Sequence, residues 1–531
     1  MNYECDVLVI GGGGAAVRAA VEAARHQIKV IMVDRGSFGR SGTSPLGLHG
    51  FATVLHREDS EATLVADILR TGCNVNDLDL VRTAVQESCR EVTLLEELGV
   101  RFFRNPDGSY YIYAAGGHSV PHNIILDEAS NGMNPVALMG IQAWKQGVRL
   151  IDGIAVVEIL VDNGRALGAM GIDRTQRIHT FSAGAVVLAA GGANRVYPNV
   201  VPRISHPMYG TTGDGYLLAL QAGLSLVDME FVNFRESPPA TPIHGTYVNA
   251  RGERFMAKYD PVRKEGAPRG KVVEALYREI QAGHGPIHIE IEDQEGASFD
   301  FLPEEYRAYI RAYREGKRPP VTITFQRVLG GARITSNASS EIAGLYVAGE
   351  NAGGFHGADR LPGGAFLETQ VFGRLAGMNA ADFAQSRERK PLSENLVQDS
   401  CRRVSNLWER KEGPRAADLL KQIHELMWNH GSIVREERGL TKAVGEIEEI
   451  RRAFEKSVSG DRFEAWNVRA LAITAEAILR AALAREESRG THRRNDFPQS
   501  KGDLTEKHIC LRRDPHGMLQ TSVVPSRSSS G

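Results

Sequence analysis

One arginine lies in a stretch whose neighbours are suited to expose it to a ligand. In HGADRLPGGAFLETQVFGRLAG, residues 356–377, Arg360 lies between glycine-bearing turns and directly before a predicted helix. A guanidinium is planar, stays charged and binds a carboxylate through two parallel hydrogen bonds. Arg360 is therefore suited to hold an anionic substrate. The alternative is a charge at the helix start that pairs with Asp359 or Glu368 at the surface.

A glycine-rich turn near the N-terminus has the spacing of a dinucleotide-binding motif. Val7 to Ile10 is a short apolar run typical of a buried parallel strand, and Gly11, Gly13 and Ala16 follow at the G-x-G-x-x-A positions. Gly11 permits the tight turn, Gly13 lets the backbone approach a pyrophosphate, and Ala16 allows close packing of helix on strand. The motif predicts a dinucleotide site, the alternative being a glycine-rich turn without a ligand.

Further strands with polar ends return from distant parts of the chain. A second predicted strand, Lys29 to Val33, ends at Asp34, whose carboxylate can accept a hydrogen bond from a ribose hydroxyl. Another strand is predicted at Ala185 to Ala190, and acids follow at Asp214, in a glycine turn at a helix start, and at Glu350, after a late strand. This layout is expected when a substrate domain is inserted into an FAD-binding domain.

The composition is that of an ordinary globular protein. The chain has 531 residues, a net charge of -2, 42% hydrophobic and 24% charged residues, so two or three domains are expected. Neither nucleic-acid nor membrane binding is indicated, and no apolar run is long enough for a membrane span. The five cysteines are scattered, which argues against disulfides, a metal site or an iron–sulfur cluster in this chain and favours a reducing cytoplasm.

These motifs in their order resemble the flavoprotein subunits of succinate dehydrogenase and fumarate reductase, and L-aspartate oxidase. The resemblance runs from about residue 4 to about residue 500 through VLVIGGGGAA, GRSGTSPLG, LAAGGANRVYP, TTGDGYLLALQAG, VNARGERFM, AGLYVAGENAGGFHGADRLPGG and MWNHGSIVREERGL. It implies an α/β fold: a Rossmann-like FAD-binding domain with an inserted α+β capping domain and a C-terminal helical domain. The expected boundaries are 1–230 and 341–394 for the FAD-binding domain, 231–340 for the mobile cap, 395–490 for the helical domain and 491–531 for a C-terminal tail, frayed from Ser526.

The motif and the resemblance together predict the cofactor site. We expect FAD to contact Gly11, Gly13, Gly14, Ala15, Ala16, Asp34, Arg35, Ser41, Thr43, Gly47, Ala190, Gly191, Asp214, Glu350, Ala365 and Phe366. In the respiratory members a histidine after an Arg-Ser pair carries FAD covalently. Gly42 stands at that position here, so we predict non-covalent FAD.

The resemblance also implies catalytic arginines. Arg360 matches the arginine that binds the substrate carboxylate, and Arg269 matches the arginine that transfers a proton, with Lys271 as its rival. The two histidines that orient a dicarboxylate are absent, because Arg235 and Gln326 stand in their places. We expect Arg235 to be a third catalytic residue.

Further residues are weighed as members of the site. Arg327 and Arg333 are expected to complete a ring of arginines, which suggests an anion of higher charge or of another shape. The turn that holds His118 resembles one near the flavin, and we interpret His118 more readily as structural than as a site residue.

The predicted function is FAD-dependent oxidoreduction, with hydride transfer between flavin N5 and a small anionic carboxylate other than the standard dicarboxylates. One alternative is an adenylylsulfate-reductase-like flavoprotein. Another is a non-catalytic electron-transfer subunit, which the loss of both histidines favours. The expected partner is an iron–sulfur electron-transfer protein, although a soluble carrier or dioxygen would also accept electrons.

Overall fold

The strands of the protein are known from a computed structural model that describes residues 1–47, 49–201, 210–292, 302, 304–408, 413–456 and 461–527. In chain order they are β1 (Asn2–Ile10), β2 (Val30–Asp34), β3 (Gly50–Ala52), β4 (Ile112–Tyr113), β5 (Asn123–Ile125), β6 (Arg149–Asp152), β7 (Ile154–Asp162), β8 (Arg165–Asp173), β9 (Ile178–Leu188), β10 (Leu226–Val227), β11 (Val232–Ser237), β12 (Gly245–Val248), β13 (His288–Ile291), β14 (Thr322–Val328), β15 (Gly331–Arg333), β16 (Leu345–Val347), β17 (Ala352–Gly353), β18 (Val434–Arg435), β19 (Arg493–Arg494), β20 (Lys507–Arg513) and β21 (Leu519–Pro525).

The helices alternate with the strands in the first half of the chain and dominate after residue 364. They are α1 (Gly14–Ala24), α2 (Ser44–Gly47), α3 (Glu61–Thr71), α4 (Leu78–Glu97), α5 (Glu128–Asn131), α6 (Pro135–Lys145), α7 (Asp214–Ala222), α8 (Met256–Tyr259), α9 (Arg269–Gln281), α10 (Glu304–Arg314), α11 (Gly364–Ser386), α12 (Glu394–Trp408), α13 (Ala416–His430), α14 (Glu437–Lys456) and α15 (Arg462–Ala484). Among the described helices, none is long and apolar enough to cross a membrane.

The main sheet has the order β6-β2-β1-β9-β8-β7, with β16 also paired to β9. Strands β6, β2, β1, β9 and β16 run parallel, so their carboxyl ends meet at one edge, where ligands of open α/β sheets bind. The predicted first strand forms the buried end of β1, as its apolar run indicated. The strand predicted at Ala185 to Ala190 is part of β9, which begins earlier, at Ile178, and ends at Leu188, before the glycine turn in which Gly191 has φ +79°.

The segment expected to form the cap contains two antiparallel strand pairs and the helices α8, α9 and α10. Strands β11 and β14 pair with a register shift, so Gln326 is an extra residue between the paired residues Phe325 and Arg327. Such a β-bulge twists the strand locally and redirects a side chain. The bulge directs Gln326, which stands where the resemblance leads one to expect a histidine, into the candidate active site.

The C-terminal part is more ordered than a tail. Helices α13, α14 and α15 pack on one another, and β20 and β21 form a hairpin that joins β10 in a second sheet. The expectation of a frayed end is wrong for Ser526, whose N–H donates to the Glu506 carbonyl at 2.8 Å, and for Arg527, whose Nη1 donates to the Ile334 carbonyl at 2.7 Å. The remainder of that prediction, 528–531, lies outside the described residues.

Candidate active site

A cavity of about 680 Å³ extends from the carboxyl edge of the main sheet to the cap. Among the predicted cofactor residues, only Ala16 does not line it; Ala16 is fully buried in α1, as its packing role requires. The cavity is lined by Gly11, Gly13, Gly14, Ala15, Asp34, Arg35, Ser41, Thr43, Gly47, Ala190, Gly191, Asp214, Glu350, Ala365 and Phe366. Residues separated by hundreds of positions therefore surround one space.

Two long helices begin at this cavity without a side-chain cap. Gly13 precedes α1 and Gly363 precedes α11, and neither helix start receives a side-chain cap from the residue before it. The first N–H groups of such helices are left to bind an anion, and the helix dipole favours negative charge. Gly11, with φ +121°, brings the turn so close to β9 that a Cβ would lie 2.2 Å from the Ala189 carbonyl oxygen. The arrangement suits a pyrophosphate.

Polar groups at the far part of the cavity are fixed by remote partners. The Ser41 hydroxyl donates to Asp34 Oδ2 at 2.9 Å, and burial raises the pKa of the Asp34 carboxyl. Arg35 Nη1 lies 3.0 Å from Asp214 Oδ2 and donates to Asn467 Oδ1 at 2.6 Å. Arg35 and Asp214 thus satisfy each other and hold β2, α7 and α15 together at the cavity wall.

Glu350 lies where two backbones converge. Its Oε1 accepts from the Val328 N–H at 3.2 Å, and a Cβ at Gly192 would lie 2.0 Å from the same oxygen. Burial raises the pKa of Glu350 to about 6. A buried carboxyl of this kind is suited to accept from a hydroxyl, and with the helix starts and Asp34 it makes a cradle that fits FAD.

Two arginines from different domains converge on one acceptor in this cavity. Gln326 Oε1 accepts from Arg269 Nη1 at 3.2 Å and from Arg360 Nη2 at 3.1 Å. Arg269 is the first residue of α9 in the cap segment, and Arg360 precedes α11. The Nε atoms of both guanidiniums are buried without a hydrogen-bond partner in the described residues. Donors of this kind are suited to a carboxylate.

The surroundings of Arg360 are strongly positive. Burial, with Arg269 and Arg327 nearby, lowers the pKa of the Arg360 guanidinium well below its usual value. Asp359 accepts the Arg360 backbone N–H at 2.8 Å and the Gly270 N–H at 2.9 Å, and burial raises its pKa. The hypothesis of a surface ion pair is therefore wrong for Arg360, which is 6% exposed.

The predicted ring of arginines is wrong in part. Arg235 lines the cavity but pairs with Glu305 at 3.1 Å, and Arg327 lines it but pairs with Glu368 at 3.3 Å. Arg333 does not line it, because its Nη2 donates to the Pro525 carbonyl at 2.7 Å. Lys271, the rival of Arg269, does not line it either.

His118 agrees with its interpretation as a structural residue, and further residues of the cavity were not foreseen. His118 does not line the cavity; its Nε2 lies 3.1 Å from the Pro362 carbonyl, and burial lowers its pKa to about 4. It supports the cavity wall from behind. Tyr113, Asn123 and Tyr306 line the cavity and were missed, because single polar residues on short elements carry no motif.

Comparisons with known proteins agree with this geometry. An FAD binding domain family matches residues 6–366, and the fumarate reductase flavoprotein C-terminal family matches residues 420–530. A fumarate reductase (CoM/CoB) subunit of Methanothermobacter marburgensis is 32% identical over 549 residues, 96% of this chain and 97% of that protein. This chain belongs to the fumarate reductase and succinate dehydrogenase flavoprotein family.

Solved structures give the same result at the level of the fold. A quinol fumarate reductase structure from E. coli has a TM-score of 0.89 at 25% identity, covering 100% of this chain and 98% of that one. Adenylylsulfate reductase of Archaeoglobus fulgidus has a TM-score of 0.82 at 20% identity, covering 99% and 96%, which shows a shared fold alone. The resemblance and the fold class predicted from the sequence are confirmed.

Membership of the flavoprotein family settles the general chemistry. The protein is an FAD-dependent oxidoreductase, as predicted, and not a non-catalytic electron carrier. The cradle around Gly11, Asp34 and Glu350 is the part of the chain that fits the cofactor.

Proposed function

We propose that the protein exchanges a hydride between FAD and a carbon–carbon bond of a carboxylate-bearing anion other than the standard dicarboxylates. The observation that carries this is the convergence of Arg269 and Arg360 on Gln326 Oε1, in the same cavity as the cofactor cradle. Two charged forks whose shared partner is a neutral amide are suited to exchange it for a substrate carboxylate.

Arg269 and Arg360 both act on the substrate carboxylate in this proposal. When bound, the flavin supplies hydride exchange at its N5 position. Arg360 and Arg269 bind the carboxylate and stabilise the negative charge that develops beside it as the bond reacts. The cap segment, which contributes Arg269, Gln326 and Tyr306 to the cavity, orients the substrate and excludes water.

Arg269 is proposed to transfer the second proton at a guanidinium nitrogen. An arginine is ordinarily too basic for this, its pKa being above about 12, so it needs neighbours that relay protons. Two buried carboxyls, Glu236 and Asp359, lie near enough to interact electrostatically with Arg269, and burial raises the pKa of both. They are suited to such a relay.

The proposed substrate differs from those of the relatives in one respect. Arg235 and Gln326 replace the histidines expected to orient a dicarboxylate, and Arg235 is engaged by Glu305. Although the relatives include fumarate reductases by name, we expect fumarate and succinate to be poor substrates. The adenylylsulfate alternative rested on a basic residue near the first histidine position, and the pairing of Arg235 with Glu305 weakens that support.

The electron partner is proposed to be an iron–sulfur subunit. Relatives that align over nearly the whole chain are named flavoprotein subunits. The five cysteines of this chain are dispersed and form no disulfide. Purification with its partner should give iron and acid-labile sulfide in proportion to FAD, whereas a partner without either would contradict the proposal.

Anaerobic stopped-flow spectroscopy tests the proposed function. The FAD-loaded protein is reduced and mixed with α,β-unsaturated monocarboxylates, fumarate or adenylylsulfate, and the return of oxidised flavin absorbance is followed. We expect fast reoxidation by at least one monocarboxylate. A fully flavinated protein that none of the carboxylates reoxidises would overturn the proposal, and reoxidation after sulfite release would favour the adenylylsulfate chemistry.

A further inference from the structure

Four of the arginines predicted to surround the substrate line the cavity, and they are not equally compensated. Arg235 and Arg327 each have a carboxylate partner, Glu305 and Glu368 respectively. In the described part of the chain, neither Arg269 nor Arg360 forms an ion pair within 4.0 Å through its side chain. Among these four arginines, the positive charge without a carboxylate in an ion pair therefore lies around Gln326.

Glu305 is firmly held against Arg235. Its Oε1 lies 3.1 Å from Arg235 Nη2 and accepts from the Ser237 hydroxyl at 2.5 Å. Its Oε2 is buried and has no hydrogen-bond partner in the described residues. Arg235 Nε donates to the Glu236 carbonyl at 3.0 Å, which fixes the guanidinium. The pair presents a neutral unit, with an acceptor oxygen in excess, to anything beside it.

Two uncharged side chains line the cavity beside this pair, and the buried carboxyl of Glu236 also lies near Arg235. Tyr306, the residue after Glu305, and Tyr113 from β4 both line the cavity. Burial raises the pKa of both phenols, so both are neutral hydroxyls at physiological pH. A second carboxylate placed here would find a compensated arginine, two neutral phenols and the negative charge of Glu305, while Arg269, which also acts on both phenols, is engaged by the first carboxylate. Placing like charges together in a buried site costs several kcal/mol.

We propose that the substrate is charged at one end only: a monocarboxylate whose carboxylate lies between Arg269 and Arg360 and whose far end is uncharged. Glu305 is then a specificity-determining residue, because it neutralises Arg235 and repels a second carboxylate. This inference rests on the proposed function and adds the substrate class. It replaces the expectation of a more highly charged anion, since two of the arginines that suggested it are already paired.

The test compares two ligands of one shape and different charge. Fumarate and monomethyl fumarate share a skeleton and do not react with oxidised flavin, so their binding to the FAD-loaded protein is measured by the change in flavin absorbance. We expect the wild type to bind monomethyl fumarate about tenfold or more tightly than fumarate. Equal binding, or a preference for fumarate, would overturn the inference.

Substitution of Glu305 tests its role. Glu305→Gln removes the negative charge and leaves Arg235 charged, so the preference for monomethyl fumarate should fall at least about tenfold. Glu304→Gln is the matched control, because Glu304 is the preceding residue of α10 but is 61% exposed and pairs with Arg307 and Arg311. It should keep the wild-type preference.

The outcomes separate the inference from the proposed function. If Glu305→Gln leaves the ligand preference unchanged while holding FAD, Glu305 does not set specificity. If neither ligand binds any flavinated form, the carboxylate function itself fails along with the inference. If fumarate binds more tightly than its ester in the wild type, hydride exchange with a carboxylate substrate stands, whereas the single-carboxylate substrate and the exclusion of dicarboxylates both fail.

Discussion

Within the described residues, the Arg360 guanidinium hydrogen-bonds a neutral amide and forms no ion pair with a carboxylate. Its Nη2 meets the Gln326 amide, its backbone N–H meets Asp359, and its Nε is without a partner. Burying a charge in this way is costly unless a ligand or a network compensates it. The arrangement therefore favours a binding role for Arg360 over a structural one.

Loss of Arg360 should weaken carboxylate binding without loss of flavin. Arg360→Ala removes hydrogen bonds to a charged group, so the dissociation constant for monomethyl fumarate should rise about 100-fold. Flavin absorbance titration measures this, with Arg333→Ala as the control, because Arg333 lies outside the cavity. Unchanged binding in Arg360→Ala would remove Arg360 from the site.

Gly42 bears on the mode of FAD attachment. It lines the cavity with φ +75°, in the left-handed region that favours glycine, and it offers no nucleophilic side chain. Acid precipitation of the holoenzyme should leave the flavin in the supernatant. A yellow pellet after washing in acid would show covalent attachment and contradict this prediction.

Residue types in motifs were predictable, but their ion pairs were not. Gly11, Asp34 and Glu350 follow strands, and the sequence alone places them at one sheet edge. The pairs Arg235–Glu305 and Arg327–Glu368 join residues from different elements, and no periodicity links them. The sequence therefore assigned more arginines to the substrate ring than the structure leaves available there.

Strand β14 positions Gln326, helix α9 positions Arg269, and Asp359 connects α9 to the loop that holds Arg360. The bulge in β14 adds Gln326 to the site, and α9 begins at Arg269. Asp359, which precedes Arg360, accepts the Gly270 N–H at the start of α9. One buried carboxylate thus connects the cap helix to the loop of the substrate arginine, a contact that strand and helix patterns do not reveal.

Removal of the Asp359 side chain should loosen this connection. Asp359→Ala leaves two buried N–H groups, of Gly270 and Arg360, without their acceptor, so the free energy of unfolding should fall by about 2–4 kcal/mol. Asp359→Asn keeps an acceptor oxygen and should recover part of the loss. Denaturant unfolding measures both variants, and wild-type stability of Asp359→Ala would refute the connection.

At the scale of the whole molecule, the C-terminal hairpin is tied to the core by a buried histidine. His508 in β20 lies 3.1 Å from Asp77 Oδ1 and 2.8 Å from Asp228 Oδ2. Although burial would lower the pKa of His508, the two carboxylates raise it to about 10. The sequence predicted only a C-terminal tail over 491–531, because the partners of His508 lie hundreds of residues away.

This histidine predicts a pH dependence of stability. Because its folded pKa lies above the unfolded value of about 6.5, the stabilisation is complete below pH 6.5 and is lost as pH rises toward 10. We expect a loss of about 5 kcal/mol across this range, measured by denaturant unfolding. His508→Gln should flatten the profile, whereas His516→Gln, on the exposed turn of the same hairpin, should not.

Arg269 and Arg360 are proposed to bind the substrate carboxylate beside the flavin. A crystal structure of the FAD-loaded protein with monomethyl fumarate tests it most directly. The account predicts carboxylate oxygens within hydrogen-bonding distance of both guanidiniums and the ester end toward Tyr306 and Glu305. A ligand bound elsewhere, or guanidiniums directed into bulk solvent, would contradict it.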